Sequence, residues 1–278
     1  DEWKDDKNFV EDVMRFLDNV LTDFIDKAPD SFANAKYSAA KERSVGLGVM
    51  GLHSYFQQKN IPFGSVMSKV WNKKIFSNIQ KKVDKASQDL ADERGACPDA
   101  EEFGIKERFS NKTAIAPTAS ISIICGGASP GIEPIAANSY THKTLSGSYN
   151  VRNKYLVKIL EKHGKDTDEV WSSITTNQGS VSHLDFLTEE EKDVFKTAFE
   201  IDQRWIVELG ADRTPHISQA QSVNIFIPAD VHKKELHHIH FQAWKKGLKS
   251  LYYCRSKSIQ RAENVNNGLS TPATIKES

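Results

Sequence analysis

The sequence predicts an α/β fold in which helix dominates. Three observations predict it. Two long apolar stripes recur at helical spacing, a strand–helix–strand succession occupies 222–253, and a short β-branched apolar segment lies at 113–125. There is no internal repeat and no clear linker, so one domain is expected.

The elements follow in order. Phe9, Val13, Phe16, Leu17, Val20, Leu21 and Phe24 mark a helix over 7–26, which Pro29 stops. Residues 41–58 are partly helical, with Leu52 and Phe56 one turn apart. A stripe of Val66, Val70, Ile75, Ile79, Val83, Ala86 and Leu90 predicts a long helix over 66–94, closed by Gly95. Residues 113–125 read as a buried strand running into a loop. Thr188 and Glu191 form a capping box, and the helix they open extends to about Leu209 and ends at Gly210. A strand over Ser222–Ile227, a helix over Val231–Lys246 ending at Gly247, and a strand over Leu248–Tyr253 then form a βαβ unit. Such a unit has parallel strands and a right-handed crossover. From about Asn264 the chain becomes small and polar, and a flexible tail is expected over 264–278.

Composition narrows the function. Lys plus Arg number 37 and Asp plus Glu number 37, so nothing in the overall charge favours nucleic acid. No run of about 18 apolar residues offers a membrane span, and no signal peptide opens the chain. Cys97, Cys125 and Cys254 are far apart, which fits a reducing cytoplasm better than a disulfide framework. The chain starts at Asp1, so a processed product or a piece of something longer is expected.

Several motifs have plain readings. Gly46, Gly48 and Gly51 spell G-x-G-x-x-G, but AKYSAAKERS before them is no strand, so the glycines serve close packing of a helix. Glu235 and His238 have the spacing of a di-iron helix, but no second E-x-x-H occurs, and no metal is expected. Cys97 reads as a small buried cysteine and Cys125 has no histidine near it in sequence. Lys245, Lys246, Lys249, Arg255, Lys257 and Arg261 form a basic region that reads as a solvated face or an anion-binding surface.

The segment NKTAIAPTASISIICGGASPGIEP is different. No charge lies between Lys112 and Glu133, while hydroxyls recur at 113, 118, 120, 122 and 129. Backbone N–H groups and hydroxyls at a helix start can bind a phosphate without Lys or Arg, and Pro117 suits the entry to such a turn. An ordinary buried loop is the other reading of the same residues.

A resemblance decides between them. APTASISIICGGASPGIEP, ANSYTHKTLSGS, QSVNIFIPAD and FQAWKKGLKSLYYCRSKSIQRAE succeed one another, with SVGLGVMGL and ASQDLADERGACP upstream. In this order they resemble the C-terminal portion of the large, catalytic subunit of class I ribonucleotide reductases, most of all the phage and bacterial type. The resemblance implies the C-terminal part of a ten-stranded α/β barrel over 1–263. It also implies removal of the 2′-hydroxyl of a ribonucleoside diphosphate by radical chemistry, for DNA synthesis. It assigns the substrate diphosphate to Pro117, Thr118, Ala119, Ser120 and Ile121, and radical transfer to Tyr252 and Tyr253. The charge-free surroundings would keep water away. Two stacked neighbours in a strand require a departure from strand geometry or the end of the strand, because successive side chains alternate faces.

The N-x-C-x-E motif of the family's radical cysteine and its C-terminal cysteine pair do not occur in the chain. The implied partners are therefore an N-terminal half, with sites for ATP, dATP and other effectors, and a small subunit with a dinuclear metal and tyrosyl radical. Thioredoxin or glutaredoxin would be the reductant, and no cofactor is expected on this chain. The implied setting is the cytoplasm, or a host's cytoplasm for a phage protein. A phosphate-ester enzyme using Cys125, and a non-catalytic assembly or anion-binding module, are the rival readings.

Overall fold

Four short segments lie side by side and run in one direction. A computed structural model describes residues 8–144 and 147–256. Val45 and Leu47 donate backbone hydrogen bonds to Asn111 and Lys112, and Leu47 bridges Thr113 in parallel. Ile115 donates to Ala220, Ser222 donates back to Ile115, and Ile115 bridges Gln221 in parallel. Strand β3 (Ile225–Ile227) pairs in parallel with β4 (Cys254–Ser256), with Ile225 opposite Cys254. The result is an open parallel arrangement in the order 45–47, 113–115, 219–227 and 252–256. Helices return the chain between its strands, as parallel pairing demands.

The first helix, α1 (Phe9–Lys27), matches the predicted span, but its buried line is Val10, Met14 and Asp18. Phe9, Phe16, Val20 and Phe24 stay exposed. The reason is Asp18, which is fully buried and draws that face inward. Arg43 Nε donates to Asp18 Oδ1 at 2.9 Å, Arg94 Nη1 to Oδ2 at 2.8 Å, and Arg108 Nε to Oδ1 at 2.9 Å. Arg43 ends α2 (Ala33–Glu42) in the left-handed conformation, φ 44°. Helix α3 is Leu52–Gln58.

Helix α4 (Val66–Arg94) begins at a Ser65 capping box and closes at Gly95, φ 86°. Its predicted stripe is buried only at Val83, Ala86 and Leu90, while Val66 and Val70 are exposed. A short helix α5 follows (Pro98–Glu102), entered from the buried Cys97.

The predicted strand over 113–125 is two things. Only 113–115 lies in the parallel arrangement, and 121–124 is a single helical turn, α6 (Ile121–Ile124). Thr118, at φ 49°, turns the chain between them. A hairpin that the sequence reading missed follows, β1 (Ser139–Thr144) with β2 (Gly147–Arg152), antiparallel.

Helices α7 (Lys154–Lys162) and α8 (Asp168–Thr176) pack around Leu156, Leu160, Trp171 and Ile174. The Thr188–Glu191 capping box is present, but its helix α9 (Glu189–Val194) stops early. Phe195 and Ala198 turn into the core, and Ala198 donates to the Ile135 carbonyl at 2.7 Å. Asp202 then caps a separate helix, α10 (Gln203–Arg213), which runs through Gly210. Helix α11 (Lys233–Lys245) is capped by His232, and Gly247 follows it at φ 77°. The second strand of the βαβ unit starts at Cys254, six residues later than the sequence reading placed it. The tail expected over 264–278 lies outside the described residues.

The main core lies between the strands and α3, α4 and α10, around Phe56, Phe63, Phe76, Ile115, Leu209, Val223 and Phe226. Among the described residues no helix is long and apolar enough to cross a membrane.

The Asp18 cluster yields a prediction. Burial alone would raise the Asp18 pKa, but hydrogen bonds from Arg108, Arg94 and Arg43 outweigh it and hold the carboxyl below its ordinary range. A depressed carboxyl stabilises fully above its unfolded pKa, and that stability is lost as pH falls through the folded one. Asp18→Asn leaves Arg43 and Arg108 without their anion, while Arg94 keeps Glu93, and should cost about 3–5 kcal/mol at neutral pH. The gap to the parent should narrow in acid. Denaturant unfolding at both pH values reads this, and equal neutral midpoints would show that the cluster contributes nothing.

Candidate active site

The segment 113–115 opens the charge-free stretch, so residues 117–121 emerge at the carboxyl end of a parallel strand. In open α/β sheets that is where ligands bind. A cavity of about 380 Å³ lies there, and its lining includes Pro117, Ala119, Glu133, Asn138, Phe226 and Arg255. Phe226 and Arg255 are register partners of β3 and β4. The cavity thus gathers the ends of three strand segments.

The loop between α6 and β1 forms the wall, and α3 pins it. Gly51 and Leu52 donate their N–H groups to the carbonyls of Ser129 and Gly131 at 2.7 and 3.3 Å. Ser54 and Ser129 exchange reciprocal backbone-to-hydroxyl bonds of 3.1 and 2.9 Å. The first donors of a helix need partners, and here the loop supplies them.

The three glycines of the G-x-G-x-x-G motif serve this arrangement. They lie in a strand-like approach and not in a helix, which corrects the packing role expected for them. A Cβ on Gly48 would come within 2.3 Å of the Ala114 carbonyl oxygen, and Gly51 sits at φ 80° ahead of α3.

Of the five predicted phosphate-binding residues, Pro117 and Ala119 line the cavity. The Thr118 hydroxyl oxygen accepts the Gly131 N–H at 2.7 Å, so it also braces the wall. Ser120 precedes α6 and makes no side-chain cap, which leaves its hydroxyl uncommitted to the helix. Ile121, Ile123 and Ile124 are 55%, 47% and 84% exposed, so this turn is open to water. The exclusion of water expected from the apolar sequence is not supplied by these residues.

Two buried groups near the loop gave no sequence signal. His53 is wholly buried, its Nδ1 accepts the Ile135 N–H at 2.9 Å, and the Val194 backbone faces the ring without a bond of good geometry to Nε2. Burial pushes its pKa down to about 3. Asn138 donates to the Phe195 carbonyl at 2.7 Å and accepts from Asn153, which also donates to Gln57, so the hairpin is tied to α3.

Tyr252 and Tyr253 lie just before β4. Their ring centroids are 4.1 Å apart at 51°, and the Tyr252 hydroxyl donates to the Tyr253 oxygen at 3.4 Å. That bond holds the Tyr252 phenol above its ordinary pKa. The contact between neighbours has a visible origin. With Ile225 opposite Cys254, a regular parallel ladder would send the Tyr253 N–H to the Val223 carbonyl. Instead Tyr252 donates there at 2.9 Å, and the Tyr253 N–H goes to Asn224 Oδ1 at 2.8 Å. The ladder slips by one residue, as at a bulge, and alternation of faces is lost.

Other predicted features are dispersed. Cys125 and Cys254 are exposed free thiols, and Cys97 is buried. Within the basic region, Lys246 pairs with Glu208 at 2.8 Å, Lys249 caps the Ile217 and Gln219 carbonyls, and Arg255 lies over the Phe226 ring. Lys257 and Arg261 lie outside the described residues. Among the described residues no group of His, Cys, Asp and Glu could hold a metal ion.

The model of the ribonucleotide reductase barrel domain matches residues 2–107 and 99–254. The chain belongs to the ribonucleotide reductase barrel family. Relatives agree. The ribonucleoside-diphosphate reductase large subunit of Invertebrate iridescent virus 6 is 49% identical over 96% of this chain, but only 28% of the relative is covered. The putative large subunit of Frog virus 3 is 40% identical over 100% of this chain and 49% of its own length. The solved structure of the Actinobacillus ureae class Id ribonucleotide reductase alpha subunit superposes with a TM-score of 0.86 at 39% identity. It covers 95% of this chain and 48% of that one. The chain therefore spans less than half the length of these relatives.

The buried His53 yields a prediction. The folded protein leaves it neutral down to about 3, whereas an unfolded histidine takes its proton near 6.5. Between those values the unfolded state binds the extra proton, so stability falls as the pH drops. His53→Gln should flatten that part of the stability–pH curve. Unfolding midpoints across the range measure it, and an unchanged slope would show that another group is responsible.

Proposed function

We propose that this chain is the part of a ribonucleoside-diphosphate reductase large subunit that binds the substrate diphosphate and relays the radical. The observation that carries the reading is the tyrosine pair in ring contact, set by a slipped ladder, in a chain of this family.

The chemistry follows from the groups present. Ala119, Ser120 and Ile121 would offer backbone N–H groups to the diphosphate, with Pro117 shaping the entry and Thr118 and Ser120 adding hydroxyls. Neutral donors suit a substrate that must also be released, since residues 117–121 themselves carry no cation. Each hydrogen bond to a charged phosphate contributes about 1.5–3 kcal/mol. Tyr252 and Tyr253 would each lose an electron and a phenolic proton together and regain them in turn. Their shared hydroxyl contact offers a short path for that exchange.

The remainder of the reaction needs other parts. An N-terminal half would supply the radical cysteine and the effector sites for ATP and dATP. A small subunit with a dinuclear metal and tyrosyl radical would dock near 245–261 and initiate the relay. Phe241 and Trp244, 49% and 71% exposed on α11, support a contact there. Thioredoxin or glutaredoxin would return electrons to the whole enzyme. The proposed setting is the cytoplasm, where the three cysteines stay reduced.

Replacing Thr118 and Ser120 together by Ala in the assembled enzyme should raise the dissociation constant for nucleoside diphosphate without abolishing binding, because the backbone donors remain. Thr118 also holds the Gly131 N–H, so Thr118→Ser is the control that keeps this bond. Parent-like affinity in the double variant would remove the segment from the phosphate site.

Tyr252→Phe and Tyr253→Phe should each abolish deoxynucleotide formation while fold and nucleotide affinity persist. Ring volume is conserved and only the transferable hydrogen is lost. Steady-state turnover of each variant, reconstituted with all other subunits, decides. Parent-like rates in either would remove that tyrosine from the relay. The same rates would favour a non-catalytic assembly module.

A further inference from the structure

The slipped ladder at the tyrosines has a side-chain cause, and it leads back to the phosphate loop. Asn224 lies between Val223 and β3 and is 1% exposed. Both ends of its amide are used. Its Oδ1 accepts the Tyr253 N–H at 2.8 Å, and its Nδ2 donates to Glu133 Oε1. The two bonds fix which end of the amide faces which partner, because a flipped amide would place donor against donor.

Glu133 is the first charge after the charge-free stretch, and it is 6% exposed on the cavity wall. Burying a carboxylate is costly unless it is paired. Burial raises its pKa, against the opposing influence of Arg255 and the Asn224 bond. Arg255 is the charged group acting on it, and it comes from β4, two residues after Tyr253. A neutral side chain would pack here at less cost, so the position calls for a reason.

Resting on the relay reading above, we propose that Glu133 and Asn224 are positioning residues. Through Asn224 the Glu133 carboxylate fixes the Tyr253 backbone one residue out of register, which holds the two phenol rings in contact. The bridge is also mechanical. Glu133 belongs to the loop 126–138, whose Gly131 is bonded to Thr118 and Leu52. One path thus runs from Thr118 by a hydrogen bond to Gly131, along the backbone to Glu133, and by hydrogen bonds through Asn224 to Tyr253. Asn224 reaches Tyr253 through its backbone N–H and not through the phenol. Their effect lies in where the tyrosine rings stand.

The complete enzyme containing this chain is the object of the test, with two readouts. The first is ring geometry, read by 19F NMR after incorporation of 3-fluorotyrosine, with resonances assigned from the Tyr252→Phe and Tyr253→Phe variants. The second is turnover alongside the dissociation constant for a nucleoside diphosphate. Glu133→Ala and Asn224→Ala should both shift the two resonances and lower kcat about 100-fold, the scale on which an ångström of misplacement acts. Nucleotide affinity should change far less. Glu133→Gln keeps an oxygen acceptor for Asn224 and should restore both readouts towards the parent. Asn224→Asp sets two carboxylates together. Its kcat relative to the parent should rise as the pH falls and the pair shares a proton.

Resonances that stay parent-like in the Ala variants would overturn the proposal, whatever the turnover. So would shifted resonances with parent-like turnover, provided the Tyr→Phe variants are inactive. Active Tyr→Phe variants would instead overturn the relay reading, leaving the resonances to decide whether the bridge sets the ring contact. If an Ala variant does not fold, Glu133→Gln and the pH profile of Asn224→Asp decide in its place. An Asn224→Asp profile parallel to the parent's would overturn the bridge.

Discussion

One buried carboxylate organises half of this fold. Asp18 collects guanidinium groups from the end of α2, the end of α4 and the segment leading to Thr113. Two of those arginines precede strand segments. Arg43 stands two residues before Val45, and Arg108 precedes Thr113 on the neighbouring segment. Both parallel segments therefore leave from one anchored point. Arg108 also donates to the carbonyls of Arg94 and Gly95, so the end of α4 is held by the same group. A cluster of this kind is poor in net energy when compared with an apolar replacement, but it resists rearrangement.

From that anchor the site follows by geometry. The segment 113–115 is straight and buried, and whatever follows it must emerge at its carboxyl end. Gly48 lets the neighbouring backbone approach the Ala114 carbonyl, and no other residue could do so without displacing it. Helix α3 then holds the returning loop by its first N–H groups, and the hairpin closes the far wall through Asn138 and Asn153. The cavity is thus made by elements far apart in the chain, each satisfying a backbone group of another.

Part of this was legible in the sequence. The long helix ending at Gly95, the Thr188–Glu191 cap and the parallel βαβ unit were written in spacing and in turn residues. The order of motifs revealed the family. What sequence reading missed had tertiary causes. The helix opened at Thr188 ends early because Phe195 and Ala198 serve the core. The hairpin had a readable signal in the alternation of Tyr149 and Val151 in a polar run, but that signal is weak. Ile121 to Ile124 looked like strand because three isoleucines suggest one, yet four residues after the Thr118 turn close a helical turn. Glu133 and Asn224 lie 91 residues apart, and no local pattern joins them. The lone charge at the end of a neutral stretch was the available clue.

The parallel arrangement also ranks its own contacts by the chain they must gather. Val223 and Tyr252 are joined by little more than one helix, whereas Ile115 reaches Ala220 across the hairpin and five α-helices. The entropy of closing a loop grows with the logarithm of its length, so the strand pair carrying the tyrosines is the cheapest to assemble and the seam beside the phosphate loop the dearest. Non-local pairing of this type is slow to form. The tyrosine pair is therefore brought together by the shortest closure, the segment bearing Thr118 meets its neighbour through the longest, and the cavity between them exists only when that one has been made.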